Sequence, residues 1–231
     1  MENNSRGTPV EDNEFNIELL SEDYPHYDLC FKIILIGDPN VGKSSLTTQA
    51  VRNYFLEYYQ TTVGFEFLTF NLTINNSVVK LQIWDTCGQE VYKSLITNFY
   101  RNCSLAIIVY AINDKKSFIN AEKWLNNLKE QSNTNVKVIL IGNKCDLESK
   151  RAVTKEEGEN YKNEKNLDKF FETSAKTGLN VRNAIIEAAK LLYKDYMKSK
   201  ENAKNDGDED DAKGEQLEGK KAKNNKEKKC C

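Results

Sequence analysis

Apolar residues in this chain fall into short dense runs, separated by longer stretches in which they recur every three or four positions. The runs at 30–36, 105–111 and 136–141 are almost wholly apolar. A strand with no polar alternation is covered on both faces, so these runs predict a layered α/β fold around a mostly parallel sheet. The stretch 66–85 differs. It alternates, and it breaks at Asn75-Asn76-Ser77, which predicts an antiparallel hairpin at the sheet edge. Phe170-Phe171-Glu172-Thr173 supplies a last short strand, giving six in all. Helices are predicted over 45–54, 117–131 and 181–197. In the second, Phe118, Ala121, Trp124, Leu125 and Leu128 share a face; in the third, Ile185, Ala188, Ala189, Leu192 and Tyr196 do so.

Outside these elements the pattern stops. Residues 1–27 are polar and acidic and carry Pro9 and Pro25, which predicts a mostly disordered extension. One domain is expected over 28–197. A flexible tail is expected over 198–231, with an acidic block at Asp208-Glu209-Asp210-Asp211. Within 220–229, six Lys against one Glu give a net charge of +5. Across 231 residues the net charge is only -2, so bulk electrostatics does not suit nucleic-acid binding. No apolar run is long enough for a membrane helix, and the N-terminus lacks the apolar core of a signal peptide. Six cysteines without C-x-x-C spacing argue against a zinc site or a disulfide framework.

Candidate chemistry begins directly after the first strand. Gly37-Asp38-Pro39-Asn40-Val41-Gly42-Lys43-Ser44 matches G-x-x-x-x-G-K-[ST], with a strand before it and a helical pattern after it. This context predicts a P-loop NTPase fold. Backbone from Asp38, Pro39, Asn40, Val41, Gly42, Lys43, Ser44 and Ser45 would wrap phosphates at the positive end of a helix. Lys43 would neutralise the β- and γ-phosphates, and the Ser44 hydroxyl would ligate Mg²⁺. Pro39 lacks an N–H and fixes its own φ in the part of the loop nearest the γ-phosphate.

Two further stations follow strands. In Asp85-Thr86-Cys87-Gly88-Gln89, Asp85 can hold magnesium through water, the Gly88 N–H can meet the γ-phosphate, and Gln89 can orient the attacking water. In Asn143-Lys144-Cys145-Asp146, the Asp146 carboxylate can accept from the ring N–H and amine of guanine. Adenine lacks that pair of donors, so Asp146 selects the base. The Lys144 stem can cover a base face, and Asn143 braces the loops. In Ser174-Ala175-Lys176, the Ala175 N–H could meet the guanine O6. Thr61 or Thr62 could close over magnesium when a γ-phosphate is present, and chemistry does not choose between them. A P-loop kinase or ATPase would leave Asp146 without a role.

Together GDPNVGKSS, YQTTVGFEF, WDTCGQE, NKCD and SAK resemble the Rab family of Ras-like small GTPases, from about residue 30 to 197. Val63-Gly64-Phe65-Glu66-Phe67, Tyr100-Arg101 and the terminal Cys230-Cys231 point to the Rab branch. The resemblance implies a GTP-binding, GTP-hydrolysing, Mg²⁺-dependent switch in vesicle trafficking. It makes Thr62 the magnesium-binding threonine, Phe55 the aromatic residue edge-on to guanine and Gln89 the glutamine needed for turnover. Phe67, Trp84 and Phe99 match three effector-surface aromatics.

It also implies double geranylgeranylation of Cys230 and Cys231 and lipid anchoring on the cytoplasmic face of intracellular membranes, with a cytosolic pool and a lean towards Golgi or endosome. The implied partners are an exchange factor, an activating protein, a dissociation inhibitor, the prenylation machinery and trafficking effectors. Pro39, Cys87, Val91, Phe99 and Ala111 depart from the family pattern. The rival readings are a switch with weak intrinsic hydrolysis and another Ras-like signalling GTPase.

Overall fold

The structure is a computed structural model, and it describes residues 15–55, 65–86, 100–132 and 136–205. Among these, seven strands form one sheet: β1 Ile17–Leu20, β2 Leu29–Ile36, β3 Phe65–Ile74, β4 Ser77–Thr86, β5 Leu105–Ala111, β6 Lys137–Asn143 and β7 Lys169–Glu172. Their spatial order is β1-β3-β4-β2-β5-β6-β7. β2, β4, β5, β6 and β7 pair in parallel, while β3 is antiparallel to both β4 and β1. β5 is buried at every position, as its unbroken apolar run requires.

Among the described residues the helices are α1 Lys43–Arg52, α2 Lys115–Gln131, α3 Lys155–Glu164 and α4 Val181–Asn205, with a 3₁₀ segment over Cys145–Lys150. They divide between the sheet faces. Leu46 and Ala50 of α1 pack with Ala184, Ala188 and Leu192 of α4 on one side, beneath Ile33, Leu81 and Ile107. Ala121, Trp124, Leu125 and Leu128 of α2 pack on the other, beneath Ile34, Ala106 and Leu140. Each fully buried Leu or Ile contributes about 1.5–3 kcal/mol of transfer free energy, so both faces of the central strands are strongly held. The hairpin turn falls at Asn75-Asn76, with Asn75 at φ 55, a conformation asparagine tolerates.

Two expectations are corrected. The sheet has seven strands because part of the 1–27 segment is ordered, and β1 rather than β3 is therefore the edge strand. Further hydrogen bonds and a ring contact hold it beside the ladder. Asn75 and Asn16 exchange hydrogen bonds, Asn75 N–H to Asn16 O at 2.8 Å and Asn16 N–H to Asn75 Oδ1 at 3.1 Å. The Asn71 amide donates to Ser21 O and Glu22 O at 2.8 and 3.0 Å. The Phe15 ring stands edge-on to Tyr193 of α4, 5.8 Å between centroids. Secondly, α4 continues past residue 197 to Asn205.

Candidate guanine-nucleotide site

The phosphate loop leaves β2 at Ile36 and enters α1 at Lys43. Gly37 has φ 147, and a Cβ there would lie 2.2 Å from the Val109 carbonyl oxygen, so the loop's first residue is pressed against β5. Gly42 caps α1 in the left-handed region at φ 97, where a Cβ would meet Asn143 Nδ2 at 2.4 Å. Lys43 is 5% exposed, and its ammonium donates to Gly37 O and Asp38 O, each at 2.9 Å. A buried ammonium needs acceptors, and this one takes them from the loop that it closes. Around it are the first-turn amides of α1, at the positive end of the helix.

The candidate metal ligands meet at the same place. The parallel register of β2 and β4 sets Leu35 beside Asp85, which brings the end of β4 next to the loop. Thr86 Oγ1 donates to Leu35 O at 2.7 Å and fixes that strand end. The Ser44 hydroxyl donates to the Asp85 carboxylate, which is 1% exposed. A hydroxyl and a carboxylate converging beside a phosphate loop are the hard oxygen donors that Mg²⁺ selects, so these residues fit that ion.

The candidate base-reading loops are joined to the phosphate loop by Asn143. It is 1% exposed, and its Nδ2 donates to Val41 O at 2.8 Å. Its Oδ1 accepts from Thr173 Oγ1 and from the Ala175 N–H, both at 3.2 Å. Lys144, at φ 67, donates from Nζ to Asn40 O at 2.5 Å and so bridges the same loops on the outside. Burial pushes the Lys144 ammonium below its ordinary range, while Asp114 and Asp146 pull it back. Asp146 is exposed at the start of the 3₁₀ segment, and its Oδ1 accepts from Ser174 Oγ at 2.6 Å. This bond aims a carboxylate outward from a rigid base, the posture required to read a purine edge.

The structure thus brings together Asp38, Pro39, Asn40, Val41, Gly42, Lys43, Ser44 and Asp85 as one loop site, tied through Asn143 to Lys144, Asp146, Ser174 and Ala175. Ser45 lies in the first turn of α1, and Lys176 is exposed beyond Ala175. Phe55 is half-buried and packs on the α1 and α4 side of the core. The Phe67 and Trp84 rings meet at a tilt, 5.3 Å between centroids, with Phe67 46% exposed. Ala111 is buried, and its N–H donates to Ser117 Oγ at 3.0 Å. Thr61, Thr62, Cys87, Gly88, Gln89, Val91, Phe99, Cys230 and Cys231 lie outside the described residues. Two contacts with the loop were not legible in the sequence: Asn120 and Trp124 of α2 both donate to the Asp38 carboxylate. Periodicity marked Trp124 as core alone, and nothing in the pattern signalled Asn120.

The Ras family model matches residues 32–194. The Ras-related protein RHN1 of Nicotiana plumbaginifolia is 47% identical over 167 residues, covering 72% of this chain and 83% of that protein. The Ras-related protein Rab5 of Nicotiana tabacum is 46% identical over the same length, with the same coverage. The Ras-related protein RABA1b of Arabidopsis thaliana is 40% identical over 192 residues, 83% of this chain and 88% of that protein. By this match the chain, with its phosphate loop and its candidate metal and base loops, belongs to the Ras family, as a Rab-like small GTPase. Guanine-nucleotide binding and GTP hydrolysis are the general activity of that class.

Proposed function

We propose that this chain is a Mg²⁺-dependent GTP/GDP switch that acts in vesicle trafficking on the cytoplasmic face of intracellular membranes. The carrying observation is the Asn143 side chain, which locks the phosphate loop to the two loops that would hold guanine. Lys43 and the α1 amides bind and orient the triphosphate, and Ser44 and Asp85 hold the cation, which would screen phosphate charge when bound. Asp146 reads the ring N–H and amine of guanine, and Lys144 covers the base. In this reading Thr62 joins the metal site, Gly88 meets the γ-phosphate and Gln89 orients water. Single-turnover hydrolysis of GTP, wild type against Gln89→Leu, tests it. Loss of turnover with nucleotide still bound is expected; equal rates would refute the role of Gln89.

A second reading, weak intrinsic hydrolysis, is favoured by Pro39, which sits exposed between Asp38 and the left-handed Asn40. Pro39→Gly would then change the single-turnover rate, and an unchanged rate and affinity would remove this reading. Cycling would depend on an exchange factor, an activating protein and a dissociation inhibitor. Trafficking effectors would dock over Phe67 and Trp84. Prenylation machinery would modify Cys230 and Cys231, because two chains give stable anchoring where one is marginal. No described helix is long and apolar enough to cross a membrane. A Cys230 and Cys231 double serine variant should be lost from membranes in cells; its retention there would overturn the lipid anchor.

A further inference from the structure

We infer that Asn120 and Trp124 are positioning residues for the bound nucleotide, acting through Asp38. Asp38 is the second residue of the phosphate loop and carries a negative charge into a site built for anions. Its two carboxylate oxygens are each occupied by α2: Oδ2 accepts from Asn120 Nδ2 at 2.6 Å, and Oδ1 accepts from Trp124 Nε1 at 2.8 Å. The donors are four residues apart and so lie on one face of the helix. The Trp124 ring is 8% exposed, embedded among Ile34, Ala106 and Leu128, so its N–H is a fixed point rather than a mobile one.

On its other side, the Asp38 carbonyl accepts from the Lys43 ammonium at 2.9 Å. One residue is therefore gripped by α2 through its side chain and by the catalytic lysine through its backbone. Two consequences follow. The carboxylate is turned towards α2 and satisfied there by neutral donors, instead of turning towards a polyphosphate of like charge. The carbonyl that orients Lys43 is held in register with the sheet face under α2. Released from Asn120 and Trp124, Asp38 would both shift the acceptor of Lys43 and bring a repulsive charge to the ligand.

The inference rests on the guanine-nucleotide reading, and the test separates the two. Full-length protein loaded with a fluorescent GDP analogue is chased with excess GDP in Mg²⁺, and release is timed for wild type, Trp124→Phe, Asn120→Ala, Asp38→Ala and the Asp38→Ala/Trp124→Phe pair. Trp124→Phe keeps the aromatic bulk and removes the N–H. Release roughly five- to tenfold faster in each single variant is expected, the scale of one ordinary hydrogen bond lost. The pair should release no faster than Asp38→Ala alone, since both changes cut one connection. If Trp124 and Asp38 serve only the fold, urea midpoints fall while release stays at the wild-type rate, or the two effects multiply. Either result overturns the inference. Asn120→Ala alters a half-buried side chain and so decides the matter if the other variants do not fold. Wild-type protein that retains no analogue refutes the guanine-nucleotide reading itself, and the inference with it.

Discussion

Replacing Asn143 by alanine removes a side chain that ties three loops together. The carbonyl of Val41, the hydroxyl of Thr173 and the N–H of Ala175 each lose a partner, and these residues are only 1%, 0% and 4% exposed. A buried polar group left without a partner costs about 1–3 kcal/mol. Water entering the vacated volume recovers part of that, so the net loss should be about 3 kcal/mol. For a domain of this size that lowers the melting temperature by roughly 6–12 °C. The loops would also lose their common spacing, and GDP release should accelerate at least roughly tenfold, the equivalent of about 1.4 kcal/mol taken from the bound state. Urea unfolding should be followed at saturating GDP, because bound nucleotide itself stabilises the folded state. A variant within about 1 kcal/mol of wild type, with release within twofold, would refute the view that Asn143 joins the phosphate and base sites.

Asn71→Ala removes both bonds to Ser21 and Glu22 and should fray β1; faster hydrogen exchange at the Ile17–Leu20 amides, with β4 unaffected, is the expected result. Unchanged exchange would mean that the Asn71 bonds are not needed to hold the strand. Burial pushes the Cys103 thiol up to about 12, against a lowering influence from Lys32. Iodoacetamide at pH 8 should therefore modify Cys103 only after unfolding, as mass spectrometry would show. The linkage follows the same direction. Between the ordinary thiol range and about pH 12 the unfolded chain loses this proton first, so the thiol's contribution to stability falls as pH rises, and Cys103→Ala should flatten that slope.

The strands of the sheet centre were legible because β2, β5 and β6 carry dense, almost wholly apolar runs, and the hairpin because Asn75-Asn76 interrupts an alternating one. β1 was not legible. Its four residues are half-buried to exposed, and their partners lie more than fifty positions away. α3 was missed because only Gly158 on it is buried, so it has no apolar stripe; its signal was the capping box of Thr154 and Glu157. In the candidate site, Lys43, Ser44, Asp85 and Asp146 could be proposed from the sequence because the chemistry proposed for them demands a residue type at a fixed place beside a strand end. The bracing role of Asn143 was readable for the same reason. Asn120 and Trp124 were not, because their contact with Asp38 depends on how α2 lies across the sheet, which no local spacing encodes.

The central claim is that the carboxylate of Asp146, held by Ser174, selects guanine. Equilibrium titration of wild type and Asp146→Asn with fluorescent analogues of GDP, XDP and ADP tests it most directly. Xanthine carries a carbonyl in place of the guanine amine, so an asparagine amide can donate where the carboxylate could only accept. Wild type should prefer GDP over both XDP and ADP by orders of magnitude, and Asp146→Asn should prefer XDP. Wild-type protein that binds ADP as well as GDP, or an Asp146→Asn variant that keeps its preference for GDP, would contradict the account.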